Sequence, residues 1–312
     1  MSRRDLNDCL CCYFWVRFSD SHALILSRIW ALVSAWLLAA ADGSDVLCNT
    51  SLLIDYCQDE VTHKYILIDV GKTFREQVLR WFIHHKIPCV DSIILTHEHA
   101  DAILGLDDVR IVQPFSPTND IEPTPIYLSQ FAMNSIAQKF PYLVRKKLKE
   151  GEEVRRVAQL DWRVIESDLQ KPFVTSGLEF VPLPVIHGED YVCLGFLFGR
   201  KSKVAYISDV SRFPPSTEHA ISKSGEGQLD LLILDCLYRT GSHNVHLCWD
   251  QTLDAVKRIC PKRALLIGMT HEMDHHKDNE TLEEWSRRAF ASSVTCIKLP
   301  VAVTIQLLLI RN

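Results

Sequence analysis

Apolar runs that end in histidine or aspartate constrain this chain more than any other feature of it. Tyr65–Val70 (YILIDV) carries Asp69 near its end, and Asp91–Thr96 (DSIILT) runs straight into His97, His99 and Asp101 in the string THEHAD. Leu178–Ile186 (LEFVPLPVI) is followed by His187, Lys203–Ser208 (KVAYIS) by Asp209, and RALLIGMT by His271. Each run is short, rich in β-branched and aromatic residues, and reads as a strand. Each therefore delivers an imidazole or a carboxylate where a strand exits. Loops at one end of a layered sheet converge on common ground, so the pattern predicts one shared site. Imidazole and carboxylate together suit zinc, iron or manganese.

Helix-like text separates these runs. Thr73–Lys86 places Phe74, Val78, Leu79, Phe82 and Ile83 on one face at helical spacing, with Thr73 near the cap. A short helical segment at Ile103–Val109 precedes a Pro-rich loop, Gln113–Pro125. Gln130–Leu148 reads as a helix that Pro141 breaks or kinks. Further strands are expected at Asn49–Tyr56, Val192–Phe198, Leu229–Asp235, Arg263–Met269 and Val301–Leu309. Gly199–Ser202 is a hairpin signal. Helices are expected at Leu247–Cys260, which Pro261 ends, and at Glu280–Ala291. Strands mixed with helices in this way predict an α/β fold with helices covering sheet faces.

Composition excludes several alternatives. With 34 Lys+Arg against 39 Asp+Glu and 47% hydrophobic residues, the chain is neither a disordered nor a collagen-like one, nor a multi-span membrane protein. Its formal charge of -5 exerts no overall pull on nucleic acid, which is not an expected partner. The basic run of Lys139, Arg145, Lys146, Lys147, Lys149, Arg155 and Arg156 reads as a solvated helix face. Eleven cysteines, an odd number scattered along the chain apart from the cluster of Cys9, Cys11 and Cys12, read as reduced thiols in a cytoplasmic protein. His22, His63, His84, His85 and His219 read as ordinary polar residues.

The motif strings resemble the metallo-β-lactamase superfamily. Its H-x-H-x-D-H pattern matches His97-Glu98-His99-Ala100-Asp101, with Ala102 in the last place. Within it, NTSLLI, LIDVGKTFR, LTHEHADAILGLDDVR and GMTHEMDH resemble the branch of the phosphonate-degradation cyclic phosphodiesterase, the tRNase Z-like enzymes and uncharacterised eukaryotic hydrolases. The resemblance implies a four-layer αββα sandwich with a site for one or two divalent metal ions, zinc or manganese. It implies His97, His99 and His187 on one metal, Asp101 and His271 on a second, and Asp209 bridging them. Asp69 would orient this set from behind. Ala102 cannot ligate, so either water, His275 or His276 completes the second site, or that site is weak or empty without substrate. The implied chemistry is metal-assisted hydrolysis of a small phosphate ester, with Asp101 and His246 as catalytic residues and His246 as general acid. His243 is the competing acid, and Arg75, Arg110 and Arg239 are candidate phosphate contacts that also read as structural. Alternatives are a thioester or ester hydrolase of the glyoxalase II type, and a non-catalytic binding protein with a degraded second site.

Residues 1–45 read as an apolar extension to a catalytic domain at 46–312. Arg28 interrupts the apolar text at 23–41, leaving less than the roughly 20 residues that a spanning helix needs. An alternative to the cytoplasmic reading is membrane association through 23–41. The resemblance also implies an opening strand with a GTG-type turn. The residues before Asn49 read SDVLC, so the extension replaces that strand or the start is mis-assigned, and an inner sheet edge is expected to lack its partner.

Overall fold

A computed structural model describes residues 48–57, 62–118, 120–144 and 157–290, with the backbone alone of Ile29–Trp30 and Gln306–Arg311 and without the side chains of His275 and His276. In chain order the strands are β1 (Ile29–Trp30), β2 (Leu52–Cys57), β3 (His63–Ile68), β4 (Ser92–Ile94), β5 (Thr124–Ser129), β6 (Leu160–Ile165) and β7 (Phe173–Thr175). They continue as β8 (Leu178–Ile186), β9 (Val192–Phe198), β10 (Val204–Ile207), β11 (Leu231–Asp235), β12 (Ala264–Ile267) and β13 (Gln306–Arg311). Two mixed sheets result, in the orders β1-β13-β2-β3-β4-β5-β6 and β12-β11-β10-β9-β8-β7.

The strand text explains the layering. In β2, Leu52, Ile54 and Tyr56 enter the layer between the sheets, while Leu53 faces the helices. In β11, Leu231 and Ile233 face inward, while Leu232 and Leu234 meet the opposite helical layer. Because side chains alternate along a strand, strands covered on both faces read as unbroken apolar runs. Helices at Phe74–Gln77, Ala100–Ile103 and Gln130–Lys139 supply residues to the outer layer on the first sheet. Those at Trp249–Ile259 and His275–Ala289 do so on the second. The fold is the expected four-layer αββα sandwich.

Several expectations are refined. The helix over 73–86 starts at Phe74–Gln77, widens into a π-turn at Val78–Phe82 and closes at Ile83–His85. That turn rotates the later residues, so Trp81 is buried while Leu79 and Ile83, expected on the buried face, are 58% and 75% exposed. The Pro-rich loop ends earlier than expected, because β5 begins at Thr124. Pro125 pairs with β6 alone, since the β4 ladder starts at Ile126, and there its missing N–H costs β4 no bond. The chain breaks before Pro141, with helices at Gln130–Lys139 and Pro141–Val144. β6, β7 and the helix Pro215–Ile221 had no counterpart in the sequence reading. The free inner edge is not found: β13 runs parallel to β2 from Leu52 to Cys57. The segment 23–41 lies outside the described residues except for Ile29–Trp30, as does the basic run beyond Lys139.

Candidate active site

The loop leaving β4 is fastened to the loop leaving β3. Val70 N–H donates to Ala102 O at 2.8 Å, and Gly105 N–H donates to Val70 O at 2.8 Å. The loops meet backbone to backbone at Gly71, where a Cβ would lie 1.8 Å from the Asp101 carbonyl oxygen. Asp69 takes a left-handed conformation, φ 63°, rarely adopted outside glycine. Its carboxylate accepts the Thr96 N–H and the Thr96 hydroxyl, both at 2.9 Å. Thr96 Oγ1, having given its proton to Asp69, accepts from His97 Nδ1 at 2.8 Å. Asp69 thus sets the tautomer and direction of His97 from behind.

His97 Nε2 is left as a bare lone pair. It is buried and has no hydrogen-bond partner among the described residues. His187 is set the same way, its Nδ1 donating to Val245 O at 2.7 Å. The ligating atoms of His97, His99 and His187 lie within 4.8 Å of one another, and their ring centroids are 4.6, 5.2 and 5.5 Å apart. A buried, orphaned imidazole nitrogen beside two other imidazoles fits a divalent cation better than it fits a packed core. A second group joins His187, Asp209 and His246 under the same limit. Burial pushes the His187 imidazole down to about 4, with His246 and His97 adding to the shift and Asp209 opposing it. Burial and His97 also lower His99. For Asp209, burial is outweighed by His97, the Ser208 hydroxyl, His246 and His187, and its carboxylate stays below the usual range.

Asp101 lies at the rim, its Oδ1 3.8 Å from His97 Nε2. His271 is exposed and joins none of these groups among the described residues. The side chains of His275 and His276 lie outside the described residues. Ala102 is buried in the apolar layer between the first sheet and its helices. Arg239 is held over the Trp249 ring at 3.9 Å and bonded to Asp278 at 2.9 Å, and Arg75 lies 3.7 Å from Asp108.

The sequence reading missed three participants. Asp235, at the end of β11, accepts from His246 Nδ1 at 2.8 Å. Burial pushes its carboxyl up to about 7, with His246 opposing. His246 is raised in turn: burial disfavours its charge, but Asp235 and Asp209 outweigh this. Asp235 was detectable, for it ends an apolar strand as Asp69 does. Cys193 joins His97 and Asp209 in a further group, but burial drives its thiol well up and its Sγ faces Thr96 O at 3.8 Å. It remains a packed thiol. Tyr191 stacks on His99 at 5.1 Å and donates its hydroxyl to the Glu98 carboxylate.

The family model of the beta-lactamase superfamily domain matches residues 64–269. The chain belongs to this superfamily. Its fold is that of the superfamily's metal-dependent hydrolases, with the His/Asp cluster placed to hold metal. A PhnP-family diphosphatase of known structure is 27% identical, with a TM-score of 0.59 over 78% of this chain and 79% of that one. The YhfI protein of Bacillus subtilis, at 17% identity and a TM-score of 0.54 over 77% and 85%, shares the fold. An octanoyltransferase of Porphyromonas gingivalis is 27% identical over 240 residues, 76% of this superfamily member but 42% of that protein. The chain therefore spans less than half the length of that relative.

Proposed function

We propose that the chain is a phosphodiesterase of a small phosphate ester, working with zinc or manganese held by His97, His99, His187 and Asp209. The observation that carries this reading is the His246–Asp235 pair beside that cluster, the His246 ring 4.7 Å from His187. Likeness to the PhnP-family diphosphatase supports it. A divalent metal would supply a water nucleophile near neutral pH and positive charge for the phosphoryl oxygens. The chain's own residues do the rest. Thr96 and the Val245 carbonyl orient His97 and His187. Asp235 keeps a proton on His246 Nδ1, which favours the cationic ring, and Nε2–H is then the donor to the leaving oxygen. Asp101 stands at the rim as a further ligand or a contact to the nucleophile, and residues 46–312 form the catalytic unit.

Free thiols at Cys48, Cys57, Cys89, Cys193, Cys236, Cys248 and Cys260 favour a reducing, cytoplasmic setting. No helix among the described residues is long and apolar enough to cross a membrane.

The test is hydrolysis of bis(p-nitrophenyl) phosphate by protein loaded with zinc or manganese. Turnover is expected, and on a diester with a basic alkoxide leaving group, which needs a proton where p-nitrophenolate does not, kcat should fall about 10²–10⁴-fold in His246→Gln while bound metal is retained. Thioester turnover without phosphodiester turnover would move the reading to the glyoxalase II type. Inertness toward both, with metal bound, would leave a binding protein.

A further inference from the structure

We propose that Phe131 and Tyr191 form a stacking subsite for a flat aromatic group, a nucleobase or an aryl ring, on the organic part of the substrate. This rests on the phosphodiesterase reading and adds a substrate class to it.

Tyr191 is a fixed wall of the site. Its ring lies on His99 at 5.1 Å and 15°, and it meets His97 and His187 edge-on at 6.4 and 6.0 Å. Its hydroxyl is bonded to Glu98, whose side chain is buried and whose carbonyl oxygen accepts from Lys139 Nζ at 2.8 Å. Phe131 contacts the Tyr191 ring at 5.8 Å and 75°. It is nevertheless 63% exposed.

The helix Gln130–Lys139 does not need this ring. Ala132 and Ile136 anchor it in the core, and Ser129 Oγ caps it by accepting from Ala132 N–H at 3.1 Å. A single exposed apolar residue is ordinary. An exposed ring two contacts out from a metal-binding histidine, seated on a locked tyrosine, is a surface prepared for a second ring. The edge-to-face contact leaves ring surface open to solvent. Stacking on an aromatic side chain accepts any base, because every base has a π-face. A phosphate at the histidine cluster would thus leave its organic group beside Phe131.

The test is calorimetric titration of the zinc-loaded full chain with adenosine monophosphate and with ribose 5-phosphate, which has the phosphate but no base. The intact protein is expected to bind the nucleotide about tenfold more tightly. In Phe131→Ala that preference falls to near one with bound zinc unchanged, and Phe131→Trp restores it. Equal binding of the two ligands by the intact protein would overturn the subsite and leave the phosphodiesterase reading standing. So would an equal weakening of both in Phe131→Ala, the mark of a structural role. A nucleotide preference that depends on Phe131, in a protein that turns over no phosphodiester, would keep the subsite and sink the catalytic reading. Binding of neither ligand by zinc-loaded protein would overturn both.

Discussion

Asp235 and His246 hold one proton between a buried carboxyl and a partly exposed imidazole. Burial alone would discharge both groups. The hydrogen bond lets His246 keep its charge, and the neighbouring Asp209 carboxylate adds to this. A hydrogen bond to a charged group contributes about 1.5–3 kcal/mol, and one pKa unit is about 1.36 kcal/mol. Asp235→Asn should therefore lower the His246 pKa, because it removes the carboxylate that favours the charged ring. A general acid works while protonated, so activity is lost as pH rises through its pKa. The alkaline limb of the kcat profile is expected to move to lower pH, with bound metal unchanged. An unmoved limb would assign the acid to another residue, His243 first. His97, His187 and Asp209 could be picked from the sequence because each directly follows an apolar run, and His99 because it stands two residues beyond His97. Asp235 obeys the same rule, but a carboxylate whose partner is eleven residues downstream declares its role in three dimensions alone. Tyr191 and Phe131 left no trace in the sequence, since a ring contact between a loop and the first turn of a helix has no period along the chain.

At the scale of elements, the site depends on how closely two loops approach. Gly71 lies against the Asp101 backbone, and Gly105 in turn lies against Gly71, where an added Cβ would meet the Gly71 carbonyl at 2.5 Å. These obstacles are backbone atoms, so no side-chain rotation relieves them. Gly71→Ala is expected to cost about 1–3 kcal/mol or more and to displace the segment that carries His99 and Asp101. Denaturant midpoint and metal affinity should fall together. A stability loss with metal affinity intact would show that the motif loop is held elsewhere. Strands were the readable elements here, because burial on both faces leaves long apolar runs. β8 was legible despite Pro182 and Pro184: its ladder with β7 ends at Phe180, and beyond that β9 is its strand partner. The open side of such an edge tolerates proline. β6 was not legible, because four of its six residues are partly or wholly exposed at the sheet's edge. The π-turn escaped as well, since it follows from tertiary packing and not from the spacing of apolar residues.

Across the whole molecule, the candidate ligands tie the two sheets together. His97 and His99 follow β4 of the first sheet, while His187, Asp209 and His246 follow β8, β10 and β11 of the second. A metal held by both sets binds the folded state and not the unfolded chain. At a free concentration 100 times its dissociation constant it should add about 2.7 kcal/mol of stability. His99→Ala, which removes an exposed ligand without opening a core cavity, should abolish that increment. The same increment in the variant would place the cation elsewhere. Acidity acts on the metal-free chain through the same histidines. His187 is depressed to about 4, as is His85, in both cases first by burial. Unfolded histidines titrate near ~6.5, so between that value and about 4 the unfolded chain holds more protons. The stability these two histidines contribute is then full above pH ~6.5 and declines as pH falls toward 4, by something of the order of 1 kcal/mol for a partly exposed histidine such as His85. Asp235, raised to about 7, and the raised His246 act in the opposite sense over this window, so the histidine contribution is read as a difference: between pH 7 and 4.5 the urea midpoint of metal-free His85→Gln should fall by less, or rise by more, than that of the chain with His85 intact. With zinc bound, the fall should be steeper, because protons displace the metal from His187 and His99. Equal slopes with and without zinc would mean that these histidines do not bind it.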